Sequence, residues 1–483
     1  MSSLFLQSLS YSSISISQET NMLPLPRLTL TTTLVSLPLL YITYRLLLSR
    51  PLLSSSLPSY TGSHRVGTID LEVPVQPRVI QPAVFTTTGE PAFKLETVLF
   101  SVFYPAEREA VGSRRQHYWI PRPISLTAKG WARFAGWSNF VTDTLFTIGL
   151  WALVGGTKVP AGVDLPLLRK PDGGKWPVVV FSHGMASMRT SYTQWCGEVA
   201  SRGYVVVAVE HRDGSAPGTE VAGRAKLHFG EQEVVVDGGE VTREELKRAQ
   251  LGMREGEVEE VVRVLRRIDE GREVDVGLRG EGKGVKEWKD RLDVGSMTIA
   301  GHSYGATLAL QTLKNAPSKR MPFKGAIIMD PGKNSGRLND KIAVPTLIIH
   351  SQSWSKKKSV FFGRPHFEVV KELAEKVLKG GSQAWFLTSL ETSHPSVCDA
   401  PLIEPLLLKW TTGATIDVGE GIFQYVDVSV SFLKYQHKGT ASDLLSMPAD
   451  TTAYGQALTG MRTGKLPYEK YWEIHVSPAT SKG

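Results

Sequence analysis

Residues 297–313 read MTIAGHSYGATLALQTL. A short apolar run, Met297 to Ala300, is followed at once by Gly301-His302-Ser303-Tyr304-Gly305 and then by a helix-compatible segment, Ala306 to Leu313. A G-x-S-x-G pentapeptide is common by chance in any chain rich in glycine and serine. Between a strand and a helix it acquires a mechanical meaning, because a sharp turn there lifts the serine above the carboxyl edge of a sheet. Small residues at 301 and 305 let strand and helix approach, and the helix N-terminus behind Ser303 favours negative charge developing near its hydroxyl.

Working outward, the same strand-and-helix alternation fills the chain from about Pro91. Strand-like runs are Thr97 to Tyr104, Val178 to Phe181, Tyr204 to Val209, Ala326 to Met329, Thr346 to Ile349 and Ala384 to Leu387. Each is apolar on both faces, as expected of strands covered by helices on two sides. One helix is explicit: Val258, Val261, Val262, Leu265 and Ile268 recur at helical spacing before Gly271. These patterns predict an α/β-hydrolase with a mostly parallel central sheet and helices on both faces. The catalytic domain is expected over residues 61–438. Gly280 to Lys289 reads as a surface loop, and residues 439–483 read as a polar C-terminal extension.

Residues 1–60 differ in kind. They are rich in Ser, Leu and Thr, contain one acid, Glu19, and hold an apolar stretch from Leu28 to Tyr44 interrupted by Pro38. That is short for a spanning helix, which needs about 20 residues, so a single N-terminal anchor competes with a signal peptide or an organellar presequence. Arg45 and Arg50 follow the stretch and only Arg27 precedes it. For an anchor, the positive-inside rule then places the main domain in the cytosol.

The chain has 483 residues, 41% of them hydrophobic, which is ample for a full core. Its net charge of +8 comes from 55 basic and 47 acidic residues spread along the chain. No basic run is interleaved with aromatics, so nucleic acid is not expected as a partner. The excess of positive charge is compatible with an anionic membrane surface. Two cysteines, Cys196 and Cys398, support no disulfide framework. No Cys/His spacing suggests a metal, and no cofactor is expected.

A serine hydroxyl needs a base, and the base needs an acid to orient it, in the chain order Ser, Asp or Glu, His. Asp330, which ends the run Ala326 to Met329 before Pro331-Gly332, is the leading acid; Asp340 and Glu391 are substitutes. His394, in the loop Glu391 to Pro395 beyond the last strand-like run, is the leading base. His350, which also ends a strand-like run, is its rival, whereas His366 and His437 read as surface residues. An oxyanion hole requires two backbone N–H groups. Tyr304, next to the serine, offers one; Met185 in Phe181-Ser182-His183-Gly184-Met185 offers the other by position.

These residues resemble the platelet-activating-factor acetylhydrolases of the lipoprotein-associated phospholipase A2 type. The likeness rests on Trp119-Ile120-Pro121, VVVFSHGMASMRT at 178–190, AVEHRDGS at 208–215, Ile299 to Leu313, and the placement of Asp330 and His394, covering roughly Pro91 to Leu433. The resemblance implies Ser303 as nucleophile, Asp330 as acid, His394 as base, and the amides of Met185 and Tyr304 as oxyanion donors. It also implies calcium-independent cleavage of phospholipids whose sn-2 acyl group is short or oxidised. Two departures stand out. Gly305 is followed by Ala306 where the family usually has glycine, and the segment after His394 reads Pro-Ser-Val-Cys-Asp in place of Gln-Asn-Phe-x-Asp, with Asp399 keeping its spacing.

Trp131, Phe134, Trp137, Phe140, Leu145, Phe146, Ile148 and Trp151 recur between 131 and 151, many at helical spacing. The stretch resembles the family's lipid-facing surface, with Trp137, Phe140, Phe146 and Trp151 as candidate contacts; a lid or core helix packed on the sheet is the alternative. Glu210-His211-Arg212-Asp213 reads as loop-fixing ion pairs. Two competing functions remain: a carboxylesterase or dienelactone-hydrolase-like enzyme on small soluble esters, and a catalytically inactive binding protein on the same fold.

Overall fold

The computed structural model describes residues 30–48, 51–108, 115–333, 335–356, 360–361, 363–451, 454 and 470–479. The chain divides into two units, Met1–Leu48 and Ser49–Gly483. In the first, the apolar stretch forms helix α1, Leu30–Leu47, with Pro38 inside it. Among the described residues no helix is long and apolar enough to cross a membrane. Glu19, Arg27 and Arg50 lie outside the described residues.

The second unit starts before the expected boundary at residue 61. Leu52 and Leu57 are buried, the Ser54 hydroxyl donates to Leu153 O at 2.5 Å, and Thr61 N–H donates to Glu198 Oε1 at 3.1 Å. A segment this short shows no periodicity, so its burial is decided only by what it meets.

The strands that build the sheet are β1 (Arg65–Phe85), β2 (Pro91–Ala106), β3 (Trp176–Ser182), β4 (Val205–Glu210), β5 (Leu292–His302), β6 (Phe323–Met329), β7 (Thr346–Ser351), β8 (Ala384–Ser389) and β9 (Trp472–Val476). They lie in the order β9-β8-β7-β6-β5-β3-β4-β2-β1, with short strands continuing beyond β1. From β4 to β8 all neighbours are parallel, whereas β1, β2 and β9 join antiparallel.

Side-chain alternation explains why the strands read as continuous apolar runs. Val178 and Val180 enter one core, and Val179 and Phe181 the other. On the first face lie α5 (Arg243–Asp269), α6 (Tyr304–Thr312) and α7 (His366–Lys379); on the second lie α4 (Thr193–Ser201) and α9 (Val418–Lys438). The predicted helix is α5. Val258, Val261, Val262, Leu265 and Ile268 are buried, and Thr242 and Glu245 form its capping box. A hairpin of α2 (Ile124–Phe134) and α3 (Phe140–Val154) projects between β2 and β3 in sequence, and α8 (Pro405–Thr412) precedes α9.

Three features go beyond the sequence reading. Strand β1 precedes the first strand-like run recognised in the sequence, and its Pro74, Pro77 and Pro82 are residues that disfavour a strand interior. It forms near the sheet edge, where register shifts after Pro74 and Val79 absorb them. The expected polar C-terminal extension supplies β9, whose residues are all buried against β8, so neighbours and not composition decide its state. Gly280 to Lys289 does lie at the surface, with Lys283, Lys286, Glu287 and Lys289 exposed, but it is pinned to the core: Glu281 is 3% exposed, and Val285 and Trp288 enter the core.

Candidate active site

Strand β5 ends at His302 and α6 begins at Tyr304, so Ser303 makes the whole turn, with φ 57° and ψ −119°. A non-glycine residue there is strained. Both flanking glycines are required by space: a Cβ on Gly301 would lie 2.3 Å from Gly305 O, and one on Gly305 would lie 2.1 Å from Ser182 O.

The structure brings Ser303, His394 and Asp330 together. His394 Nε2 lies 3.0 Å from Ser303 Oγ, and its Nδ1 lies 2.9 Å from Asp330 Oδ2. Asp330 is 1% exposed, and its carboxylate accepts from Ser351 N–H at 2.6 Å and from the Ser351 hydroxyl at 2.7 Å. With Asp330 so held, the Nδ1 proton points at the carboxylate and the Nε2 lone pair faces the serine.

The alternatives go elsewhere. Asp340 is exposed and pairs with Lys376, and Glu391 is exposed in a turn. His350 is a core residue whose Nδ1 meets Ser355 Oγ at 3.2 Å; burial holds it well below the ordinary imidazole range. His437 is exposed. His366, expected at the surface, is 2% exposed and stacks on His350 at 5.4 Å, because it opens the buried face of α7.

Sequence reasoning missed several neighbours. The Trp354 indole lies flat on the His394 imidazole, with centroids 4.0 Å apart and planes 11° apart. The Lys333 ammonium sits 4.2 Å from the same indole. The His302 ring lies 4.4 Å from His394, and burial keeps it well below its usual range, so it carries no competing charge. Its Nδ1 meets the Tyr192 hydroxyl at 2.8 Å, and that hydroxyl accepts from Gly184 N–H at 3.2 Å. No sequence signal marks Trp354; Ser351 could have been noticed only as the polar end of a buried strand.

The loop after β3 reaches the serine: a Cβ on Gly184 would lie 3.2 Å from Ser303 Cβ. Met185, the next residue along the loop, is half-buried. Tyr304 opens α6, so its N–H is among those with no intrahelical acceptor. Beneath the loop is a buried ionic network. Arg254 Nη1 donates to His183 O, and its Nε to Asp213 Oδ2, both at 2.7 Å, while the guanidinium lies 4.5 Å from the Tyr304 ring. Burial pushes the Asp213 carboxyl up, but the Arg254 charge and its other partners outweigh this and hold it at about 2. His211 Nε2 meets Ser182 Oγ at 2.8 Å, and its Nδ1 meets Glu257 Oε2 at 2.7 Å. The Glu210-His211-Arg212-Asp213 stretch thus ties the loop to α5. Arg254→Leu leaves Asp213 as an uncompensated buried charge, so a loss of about 3–5 kcal/mol is expected in chemical denaturation.

Asp399 has a comparable role. It is fully buried and accepts from Trp119 Nε1 at 3.0 Å, Thr193 N–H at 2.8 Å and Gln194 N–H at 2.9 Å, which joins Trp119-Ile120-Pro121 to the start of α4. Burial pushes its carboxyl up to about 6 against those donors. Among the described residues, the group whose donor atoms lie within metal-binding reach of one another is His302, Asp330 and His394, within 4.8 Å. Two of these already share the hydrogen-bonded chain to Ser303.

A mostly parallel sheet between two helix layers, with a serine on the turn from its central strand into a helix, defines an α/β-hydrolase. A ferulic acid esterase from Streptomyces cinnamoneus superposes with a TM-score of 0.53 at 18% identity, covering 82% of this chain and 96% of that one. The family profile described as "Platelet-activating factor acetylhydrolase, isoform II" matches residues 52–450, and the chain belongs to that family. Relatives include a platelet-activating factor acetylhydrolase of Cavia porcellus, 32% identical over 48% of this chain and 51% of that protein. Another is a putative phospholipase A2 of Schizosaccharomyces pombe, 30% identical over 57% and 64% respectively. The matched region spans about half the length of the first curated relatives.

Proposed function

We propose that this chain is a calcium-independent serine esterase that cleaves the sn-2 acyl ester of phospholipids with short or oxidised acyl chains. The observation that carries this reading is the imidazole of His394, bonded to Ser303 Oγ on one side and to Asp330 on the other. Ser303 attacks the ester carbonyl as His394 takes its proton, and the Met185 and Tyr304 amides receive the developing oxyanion. Collapse expels the lysophospholipid alkoxide, protonated by His394. Water, deprotonated by the same imidazole, then releases the carboxylate from the acyl-enzyme.

A fluorophosphonate probe followed by product analysis on a phospholipid panel tests this. One labelled serine, 303, and a lysophospholipid product in the presence of a calcium chelator are expected. Loss of activity on chelation would sink the mechanism. Absence of labelling would favour the inactive binding protein.

Lipid over soluble ester is supported by the hairpin surface. Phe140 is 87% exposed, Trp137 65% and Trp151 47%, while Phe146 is half-buried; Trp410 on α8 is 87% exposed. Large aromatics left in water suit a lipid interface. Replacing Trp137, Phe140 and Trp151 together by Ala is expected to lower activity on micellar or vesicular substrate by about tenfold or more, given ~1.5–3 kcal/mol per buried aromatic. Monomeric short-chain esters should be cleaved as before. Equal losses on both would return the reading to small soluble esters.

A further inference from the structure

We infer that the chain carries a second binding site, a phosphate pocket at the root of the α2–α3 hairpin that takes the headgroup of an anionic phospholipid. A cavity of about 480 Å³ opens there, and none of Ser303, Asp330 and His394 lines it. Five cationic side chains do: Arg115, Arg122, Lys158, Arg189 and Arg279.

Two carboxylates, Asp70 and Glu281, also line the cavity, but each is already engaged. Asp70 accepts from Arg189 and from the Ser101 hydroxyl, both at 2.5 Å. Glu281 accepts from Asp70 N–H and lies 2.9 Å from His117 Nε2 and 3.2 Å from Arg115. Together with Glu210, 3.0 Å from Arg189, and Glu72 and Glu220, 3.0 and 3.5 Å from Arg279, they offset the charges of the wall, so the positive character is concentrated at the mouth on Arg122 and Lys158.

At the mouth, Arg122 and Lys158 meet no carboxylate within ion-pair distance among the described residues. The Arg122 guanidinium sits 4.0 Å from the Tyr118 ring centroid and the Lys158 ammonium 5.8 Å from it, so one aromatic ring holds both cations in place. Deeper in, Arg189 is 5% exposed, and its buried Nε finds no hydrogen-bond acceptor among the described residues. Such an orphan is costly, and an anionic oxygen would satisfy it. Guanidinium forks beside an ammonium match a phosphate better than a single carboxylate.

The lipid source follows from position. Tyr118 to Arg122 leads into α2, Gly155 to Lys158 leads out of α3, and Arg122 Nη2 donates to Gly155 O at 2.6 Å, closing the hairpin at its base. A hairpin seated by its aromatics would bring this pocket to headgroup depth. The choice of lipid rests on that interfacial reading, whereas the pocket itself does not.

The test uses the full chain carrying Ser303→Ala, so that vesicles stay intact. Binding is measured by flotation on phosphatidylcholine vesicles with and without phosphatidic acid, and to glycerol 1-phosphate by calorimetry. Phosphatidic acid is expected to tighten binding about tenfold or more. Arg122→Gln with Lys158→Gln should remove that increment, a loss larger than any change in binding to pure phosphatidylcholine that follows from the lost Arg122–Gly155 clip. Lys319→Gln with Lys324→Gln, which removes the same charge elsewhere, should keep most of it. Circular dichroism checks the fold, and Lys158→Gln alone, at a side chain in no ion pair among the described residues and outside the Arg122–Gly155 clip, should give a partial loss with phosphatidylcholine binding unchanged. An increment that survives the pocket substitutions, or falls equally with Lys319 and Lys324, overturns the site. Glycerol 1-phosphate binding without any vesicle increment overturns the lipid assignment. Loss of phosphatidylcholine binding in the Trp137, Phe140 and Trp151 variant, with glycerol 1-phosphate still bound, separates the pocket from the interfacial reading and supports both.

Discussion

Ser303→Ala is expected to lower ester hydrolysis by about 10⁵- to 10⁶-fold and to abolish fluorophosphonate labelling. His394 Nε2 faces the hydroxyl at 3.0 Å, and among the described residues no second hydroxyl or thiol partners it, so Ala leaves the base without a nucleophile to activate. What remains over water would come from the oxyanion donors and substrate binding. Because Ser303 sits at φ 57° and ψ −119°, Ser303→Gly should be equally inactive yet raise the melting temperature, by releasing strain of about 1–3 kcal/mol. An inactive variant that also melted lower would mean that the turn is not strained as described. Retained hydrolysis in Ser303→Ala would remove the nucleophile from the mechanism.

Asp330→Asn is expected to cost about 10³- to 10⁴-fold in kcat, with KM and thermal stability nearly unchanged. Ser351 N–H and its hydroxyl both donate to position 330. An asparagine can take the first bond through its oxygen, which turns its amide N–H groups toward His394 Nδ1. The imidazole must then present a lone pair at Nδ1 and carry its proton on Nε2, facing Ser303 with no base to offer. A full-activity Asp330→Asn would show that the carboxylate does not set the tautomer. A collapse in stability instead of kcat would make Asp330 a structural group held by Ser351.

Some of this is legible from sequence because it is local. The strand-turn-helix at 297–313 is written in neighbouring residues, and the strand-like runs from Val178 to Leu387 show two-sided apolarity because helices cover both faces. Other features are written nowhere locally. The prolines of β1 and the polar residues around β9 point away from strands, and only an edge position with an antiparallel neighbour makes them strands. His350 and Asp330 look alike in sequence, since each ends a buried run. In the fold, His350 meets Ser355 in the core and the next residue, Ser351, turns to Asp330, because side chains alternate along a strand.

The sequence by itself determined the sheet's parallel core, the elbow at Ser303 and the chain order of the groups behind it, since these depend on hydrophobic periodicity and turn chemistry within a few residues. Only the tertiary structure decided which acid and which histidine meet the serine, that Trp354 lies against the imidazole, and that Arg122, Lys158 and Arg189 line one cavity. Those outcomes depend on side-chain direction and on contacts between segments far apart in the chain, and periodicity carries no information about either.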